Sequence, residues 1–406
     1  MQENIEIKAE RIREIVKSEN IRNIYLNFID LNGNIRSKLV GVKELINNTH
    51  VSWNDGISIN GRLITDFKNN IQSDWLVLLP DADSFRIIPF LEESQKSAML
   101  MCQIKNFSLD SRDLLKKAVN QLYTKEKCIP VVGTELIYEF TCNGQDYYHT
   151  LPTSSSTIFN NSLVDCLLES KIDVEYYMPY GKKHNRIDLV PDIATNSADK
   201  YTVSKWFLRS LATKVNYDIK FSKLDENSLS SFPMHISLWD ENKKNNLFFS
   251  NDDEFELSNL AKKFINGILH FNKYIYAVTK ATTKQEMLNL IPTLSMNRDN
   301  SLIQVPLYFK EKQKKDRVGW SKRLVYQGAT SDCNHYLVLA CILYAGIFGL
   351  QNLSENEKHM ECVNQYSCEE LLQEVKNNEY FIKTIGGDFT DYIINKLNCK
   401  KGNWNL

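Results

Sequence analysis

The chain has 406 residues, of which 43% are hydrophobic and 24% are charged. This composition supplies a substantial core and excludes a largely disordered protein. Lys and Arg number 49 and Asp and Glu number 50, a net charge of −1, so neither nucleic acid nor an anionic membrane is expected as the main partner.

The first quarter of the chain has the pattern of a small sheet domain. Apolar residues at helical spacing predict a helix over 4–18. Two apolar runs flank Asn32-Gly33, a pair that tolerates positive φ, and this predicts a β-hairpin over 24–42. With further strands expected at 75–79 and 97–104, we predict a first domain of residues 1–105.

From Ser108 the pattern changes to longer helices between strands. A helix is predicted around 115–122 and a strand over 130–140. Later helices are predicted over 200–214, 256–280, 334–350, 368–376 and 379–396, with strands at 217–221 and 233–239. Residues 106–406 are therefore expected to form a second, larger α+β domain.

Features that report on location favour the cytoplasm. The apolar run 336–350 is too short to cross a bilayer and is expected to be a buried helix, so no membrane association is predicted. The charged N-terminal segment lacks the apolar stretch of a signal peptide. The nine cysteines contain no CxxC pair, which is typical of reduced thiols.

Several short motifs follow one another along the chain. In the first domain they are DLNGNIR at 30–36, NDGISING at 54–61 and the S-D, L-P-D and I-P-F series within 73–90. In the second they are VGTE at 132–135, MHISLW at 234–239 and the NHYL…G segment at 334–349. Each motif alone is weak, but together they cover nearly the whole chain, and in this order they resemble the motifs of glutamine synthetases of the short bacterial type.

The resemblance implies a fold and a reaction. The implied fold is α+β: a small β-grasp-like N-terminal domain and a large catalytic-type domain of curved antiparallel sheet and helices. Family members form rings with each active site between two subunits, so a homo-oligomeric ring is expected. Their reaction activates the γ-carboxylate of glutamate with ATP, after which ammonia or an amine attacks; five glutamates and one histidine hold two divalent metals.

Carrying these metal ligands over residue by residue leaves large gaps. Mg²⁺ and Mn²⁺ prefer oxygen ligands, with imidazole tolerated. Glu135 matches the first glutamate, whereas the others fall on Ile137, on a residue within 178–180, on Arg186 and on Val325. The histidine falls on Pro233 or, with a two-residue shift, on His235. Because a cation at a ligand position repels a metal, Glu135 is interpreted as a vestigial ligand and no cofactor is expected.

The remaining candidate residues fall into two groups. Two family arginines fall on glutamines, Gln304 and Gln327, while Arg323 is kept as a catalytic candidate. Candidates for binding a substrate or another anion are His235, Arg186, Lys182 and Lys183. His184 is expected at the surface.

The residues that match the family's ammonium-binding loop are kept in this sequence. Asp55 and Ser58 match the loop with which a neighbouring subunit binds and deprotonates ammonium, and Asp74 matches as well. The alternative is that Asp55-Gly56 simply makes a turn that Ser58 caps.

Three functional hypotheses follow, of which the first is favoured. The chain is a pseudoenzyme with an assembly, regulatory or ligand-binding role, its small-molecule ligand unknown. Alternatively it is a repurposed ligase that uses ATP and Mg²⁺ to join another carboxylate and amine, recruiting Glu135, Glu139, His184, Asp188, His235 and Arg323. In the third hypothesis it is a subunit of a mixed ring, where its Asp55 loop completes the site of an active paralogue.

Overall fold

The structure is a computed structural model. It describes residues 5–43, 51–68, 70–71, 73–140, 151–180, 184–221, 232–251, 255–285, 287, 290–295, 300–306, 319–356 and 366–400.

The N-terminal part is built on one sheet. After helix α1 (Ile5–Ser18), its strands are β1 (Asn23–Ile29), β2 (Ile35–Gly41), β3 (Ile57–Asn60), β4 (Trp75–Pro80), β5 (Arg86–Ile88) and β6 (Ser97–Lys105). Their order is β2-β1-β6-β4-β3, with β5 also paired to β6. Short helical turns lie at Val51–Asp55, Gly61–Leu63, Ala82–Ser84 and Glu93–Gln95. The predicted hairpin is confirmed: β1 and β2 pair antiparallel, and Gly33 in the turn has φ of +81°.

A second, larger sheet follows. Its strands are β7 (Ile129–Phe140), β8 (Val174–Tyr180), β9 (His184–Ile193), β10 (Ile219–Lys220), β11 (Met234–Trp239), β12 (Ile291–Ser295), β13 (Ser301–Gln304) and β14 (Leu324–Tyr326). The order is β12-β13-β14-β11-β7-β9-β8, and β10 adds to β7. The pairs are antiparallel as expected, except that β12 and β13 run parallel.

Helices pack around this second sheet. They are α2 (Ser111–Glu126), α3 (Ser155–Glu169), α4 (Ala194–Lys214), α5 (Asn259–His270), α6 (Asn272–Thr282), α7 (His335–Asn352), α8 (Cys368–Asn377), α9 (Glu379–Ile385) and α10 (Gly387–Lys400). Two predicted helices prove to be broken. The segment 256–280 divides at Phe271, and 379–396 divides at Gly386, whose φ is +92°. Apolar spacing continues across both breaks, so periodicity did not reveal them.

Helix α7 lies in the core. It has the length and hydropathy of a membrane-spanning helix, but most of it is buried inside the protein. Its partner α5 approaches closely at Gly267, where an added Cβ would lie 2.0 Å from the carbonyl oxygen of Ala345. The prediction of a buried helix over 336–350 is confirmed.

Candidate functional site

A cavity of about 580 Å³ opens against one face of the second sheet. This volume lies within the range of small-molecule sites. Side chains from β7, β9 and β11 form its floor, and the segment 320–323 forms part of its wall. The floor is where the family resemblance places metal ligands.

Strand geometry puts the charged floor residues on a common face. Side chains two apart on a strand point the same way. In the pairing of β7 with β9, Glu135 lies opposite Asp188 and Ile137 lies opposite Arg186. On the other side of β7, His235 of β11 lies opposite Gly133, where an added Cβ would lie 3.4 Å from the Cβ of His235.

These side chains form a buried ion network. Arg186 Nη2 lies 2.6 Å from Glu135 Oε1. Arg186 also donates from Nε and Nη2 to the two carboxylate oxygens of Asp188, each at 2.6 Å. Burial alone would lower the pKa of Arg186, but Asp188 and Glu135 raise it above its usual value. The guanidinium is therefore a permanent cation held between two carboxylates.

The network continues through His235. Its Nε2 lies 2.8 Å from Glu135 Oε1, and Arg323 Nε donates to its Nδ1 over 2.8 Å. Because Nδ1 accepts, this geometry assigns the imidazole proton to Nε2, which donates to Glu135. Arg323 also donates from Nη1 to the carbonyl of Ser321, and burial lowers its pKa. The structure thus brings Glu135, Arg186, His235 and Arg323 together, as candidate residues of one site.

These residues do not fit a divalent metal. The carboxylates of Glu135 and Asp188 on the cavity floor already bind a guanidinium, and Ile137 and Val325, where the resemblance places two further acids, are buried and apolar. Within the described part of the chain, no group of three or more His, Cys, Asp or Glu side chains is arranged to hold an ion. A metal here would have to displace Arg186 against its own positive charge.

The two glutamines at family arginine positions pair with each other. Gln327 Nε2 donates to Gln304 Oε1 at 3.4 Å, and both side chains are buried. Both amides are neutral, and neither residue is among the described residues that line the cavity.

The ammonia-side candidates lie elsewhere. Asp55 and Ser58 are exposed, and Asp74 is half-buried with an ion pair to Arg62 at 2.5 Å. None of the three is among the described residues that line the cavity of this chain. Gly56 has φ of +82°, and a Cβ there would lie 2.6 Å from the carbonyl of Leu78, so the Asp-Gly pair does form a constrained turn.

Two further expectations need comment. Lys182 and Lys183 lie outside the described residues. The expectation for His184 was wrong: it is 5% exposed, because it begins β9 between Tyr180 and Glu139 on the neighbouring strands. A lone histidine between polar residues gave no sign of that pairing.

Sequence reasoning named Asp188 only as a residue of the ligase alternative, and it did not place Trp239 or Trp320 in the site. Arg186 and Asp188 are two apart, so they share a face in strand β9, but no strand was predicted there from the sequence. For Trp239 a signal existed, because it is four residues from His235 in the strand predicted over 233–239 and so shares its face. For Trp320 there was none, because it reaches the cavity from a non-strand segment whose spatial position no periodicity reveals.

The curved sheet, its cavity and the ordered motifs define a ligase-like class of protein. The family model for the catalytic domain of glutamine synthetase matches residues 114–379, well over half of the chain. The chain belongs to the glutamine synthetase family, as its motifs predicted. This family normally uses ATP and Mg²⁺ and commonly forms oligomeric rings.

Relatives named glutamine synthetase align over most of their length. That of Thermotoga maritima is 26% identical over 93% of this chain and 92% of its own. That of Mycolicibacterium smegmatis is 24% identical over 98% and 95%, and that of Clostridium saccharobutylicum is 27% identical over 84% and 80%.

Proposed function

We propose that this chain has lost the ATP- and Mg²⁺-dependent ligation of glutamate with ammonia. Its role is then non-catalytic: it binds a small molecule in the cavity and acts in regulation or assembly. The observation that carries this proposal is the position of Arg186, whose guanidinium bridges Glu135 and Asp188 on the cavity floor.

The chemistry of the family reaction explains why this matters. Phosphoryl transfer to a carboxylate brings several negative oxygens together, and divalent ions offset their repulsion. Here the guanidinium of Arg186 binds the carboxylates of Glu135 and Asp188. The other positions at which the resemblance places acids carry no carboxylate. Arg186 cannot replace two divalent metals, because its Nε and Nη2 already bind Asp188 and Glu135, which leaves only Nη1 for a ligand.

The direct test is phosphate release from ATP with glutamate, ammonia and either Mg²⁺ or Mn²⁺, beside titration calorimetry with Mg-ATP. We expect no phosphate release above the no-enzyme rate and no binding in the micromolar range. A Glu135→Ala variant is the control for contaminating host enzyme, because genuine turnover would vanish with it. Turnover that requires Glu135, or micromolar Mg-dependent nucleotide binding, would overturn the proposal.

A repurposed carboxylate–amine ligase is the second candidate. Its support is the hydrogen-bonded chain Glu135–His235–Arg323, which is polar, partly buried and lines the cavity. In that case ATP and Mg²⁺ would be the cofactors. Phosphate release from one acid–amine pair in a broad screen, abolished by Glu135→Gln, would favour this candidate over the first.

We further propose a homo-oligomeric ring, or a mixed ring with an active paralogue, in the cytoplasm. Exposure of Asp55 and Ser58 supports this, since a loop that serves a neighbouring subunit must be accessible before assembly. In a co-expressed mixed ring, Asp55→Ala should lower the partner's turnover, whereas the exposed Asp83→Ala should not. The two sheets also support a division into domains 1–105 and 106–406, because β6 ends at Lys105.

A further inference from the structure

We propose that the cavity above Arg186 is a metal-independent site for a small aromatic monocarboxylate. This inference rests on the proposed function, because it takes the cavity as a binding site that works without Mg²⁺ and ATP. It names the chemical class of ligand from three features of the cavity: its charge balance, the donor that Arg186 leaves available, and its aromatic wall.

The charge balance excludes a polyanion. The acids among the described lining residues are Glu135, Glu175, Asp188 and Asp192. The bases are Arg186, Lys243, Lys322 and Arg323, equal in number to the acids. Lys322 is fully buried and lies 3.2 Å from Glu256, so its charge is directed away from a ligand. A triphosphate without metal would therefore face several carboxylates and little excess positive charge, whereas one carboxylate needs one donor group.

Arg186 supplies that donor group. Its Nε and Nη2 bind Asp188 and Glu135, but Nη1 has no hydrogen-bond partner among the residues that the structure describes. The side chain is 11% exposed and lines the cavity. A charge-assisted hydrogen bond from a partly buried guanidinium to a carboxylate is stronger than one between neutral groups. A single acidic group of the ligand is therefore expected to bind at Nη1.

The wall of the cavity is aromatic. Trp239 and Trp320 meet edge to face with ring centroids 4.9 Å apart. The Trp239 indole is held by its Nε1 donating to Ser237 Oγ at 3.0 Å, while Trp320 is 62% exposed. A large exposed indole beside a cavity is a feature of binding sites, and aromatic faces favour planar apolar ligands. The ligand is thus expected to carry a ring as well as its carboxylate.

The test uses titration calorimetry with benzoate, indole-3-carboxylate and naphthalene-2-carboxylate, each in EDTA and each beside its neutral carboxamide. We expect at least one carboxylate to bind with Kd below about 1 mM. Its carboxamide should bind at least about tenfold more weakly, because the charge-assisted hydrogen bond to Arg186 is lost.

Two variants locate the binding. Trp320→Ala should weaken it at least about tenfold, because it removes the exposed wall of the cavity. Trp75→Ala is the matched control: that indole is 61% exposed but lies on β4, away from the cavity, so affinity should not change. Both positions are exposed, so both variants are expected to fold.

Three outcomes would overturn the inference: none of the carboxylates binds, a carboxamide binds as tightly as its acid, or Trp320→Ala binds as tightly as the unaltered chain. ATP in EDTA binding more tightly than every carboxylate would also overturn it, because it would show that the cavity accepts a polyanion. Failure of the proposed function is a separate result, seen as Mg-dependent ATP binding or turnover in the same preparation.

Discussion

Arg186 lies directly opposite Ile137 in the pairing of β9 with β7. The family resemblance places acids at both positions, and here one is a cation and the other an apolar residue 2% exposed. Cross-strand partners are close neighbours. Ile137 and Arg186 therefore belong to one small region of the cavity floor. There the positive charge of Arg186 is paired with the carboxylates of Glu135 and Asp188.

Removing Arg186 should destabilise the fold strongly. In Arg186→Ala, the carboxylates of Glu135 and Asp188, 7% and 10% exposed, would lose their shared cation. Breaking one side of a buried ion pair typically costs about 3–5 kcal/mol. Urea unfolding at pH 7 would measure this change in the free energy of unfolding.

The matched control for that loss is Arg62→Ala. Arg62 pairs with Asp74 at 2.5 Å, but the two side chains are 64% and 46% exposed. An exposed pair contributes about 0–1 kcal/mol, so this variant should unfold at nearly the same urea concentration as the unaltered chain. Equal losses at the two arginines would contradict the view that Arg186 is the main cation of the floor.

The contact of α5 with α7 makes a prediction about the core. A Cβ on Gly267 would come within 2.0 Å of the Ala345 carbonyl oxygen, so Gly267→Ala must push the helices apart. Overpacking of this kind costs about 1–3 kcal/mol. Gly387→Ala, at the start of α10 with nothing within 4 Å, should be neutral or stabilise by about 0.4–1 kcal/mol. Thermal unfolding of both variants checks the contrast, and equal melting temperatures would refute it.

Local signals predicted much of the fold. The Asn32-Gly33 turn and the regular apolar spacing of the helices depend on neighbours in sequence, and the hairpin and the buried α7 agree with them. The break at Phe271 was missed because both α5 and α6 bury the faces that a single helix would have buried.

The candidate site could be predicted only in part. Residue types alone led to the expectation that acids are missing at Ile137 and Arg186. What those residues do instead depends on strand register, and the sequence does not state which residue of β9 lies opposite Glu135. The same holds for Gln304 and Gln327, which are far apart in sequence yet hydrogen-bonded through neighbouring strands.

His335 should make stability depend on pH. It is buried at the start of α7, with Nε2 2.8 Å from Thr202 Oγ1, and burial together with the charge of Lys205 lowers its pKa to about 3. The unfolded chain binds a proton at this histidine below about pH 6.5, whereas the folded chain does not until about pH 3. Stability from this group is therefore complete above pH 6.5 and is lost as pH falls, by up to about 1.4 kcal/mol per pH unit.

Urea unfolding at pH 7, 6 and 5 tests this linkage. His335→Gln can still hydrogen-bond but cannot titrate. Below pH 6.5 its free energy of unfolding should therefore fall less steeply than that of the unaltered chain, by up to about 1.4 kcal/mol per pH unit. His270→Gln, which replaces an exposed imidazole, should keep the slope of the unaltered chain. The same slope in all three proteins would contradict a neutral, buried His335.

Acids placed at positions 137 and 186, which face each other across β7 and β9, should create a metal-binding site. In the double variant Arg186→Glu with Ile137→Glu, the new carboxylates would join Glu135, Asp188 and His235 on one face of the sheet, an oxygen-rich set suited to Mn²⁺. Without metal, repulsion among these acids should lower Tm; with Mn²⁺, Tm should rise again. The loss of the free Mn²⁺ signal in electron paramagnetic resonance measures the binding. The uncharged double variant, Arg186→Gln with Ile137→Gln, controls for removal of the guanidinium and should bind Mn²⁺ more weakly than the acidic variant, because it adds no carboxylate to Glu135 and Asp188. If the unaltered chain bound Mn²⁺ as tightly as the acidic variant, Arg186 would not be what keeps a metal from this cavity.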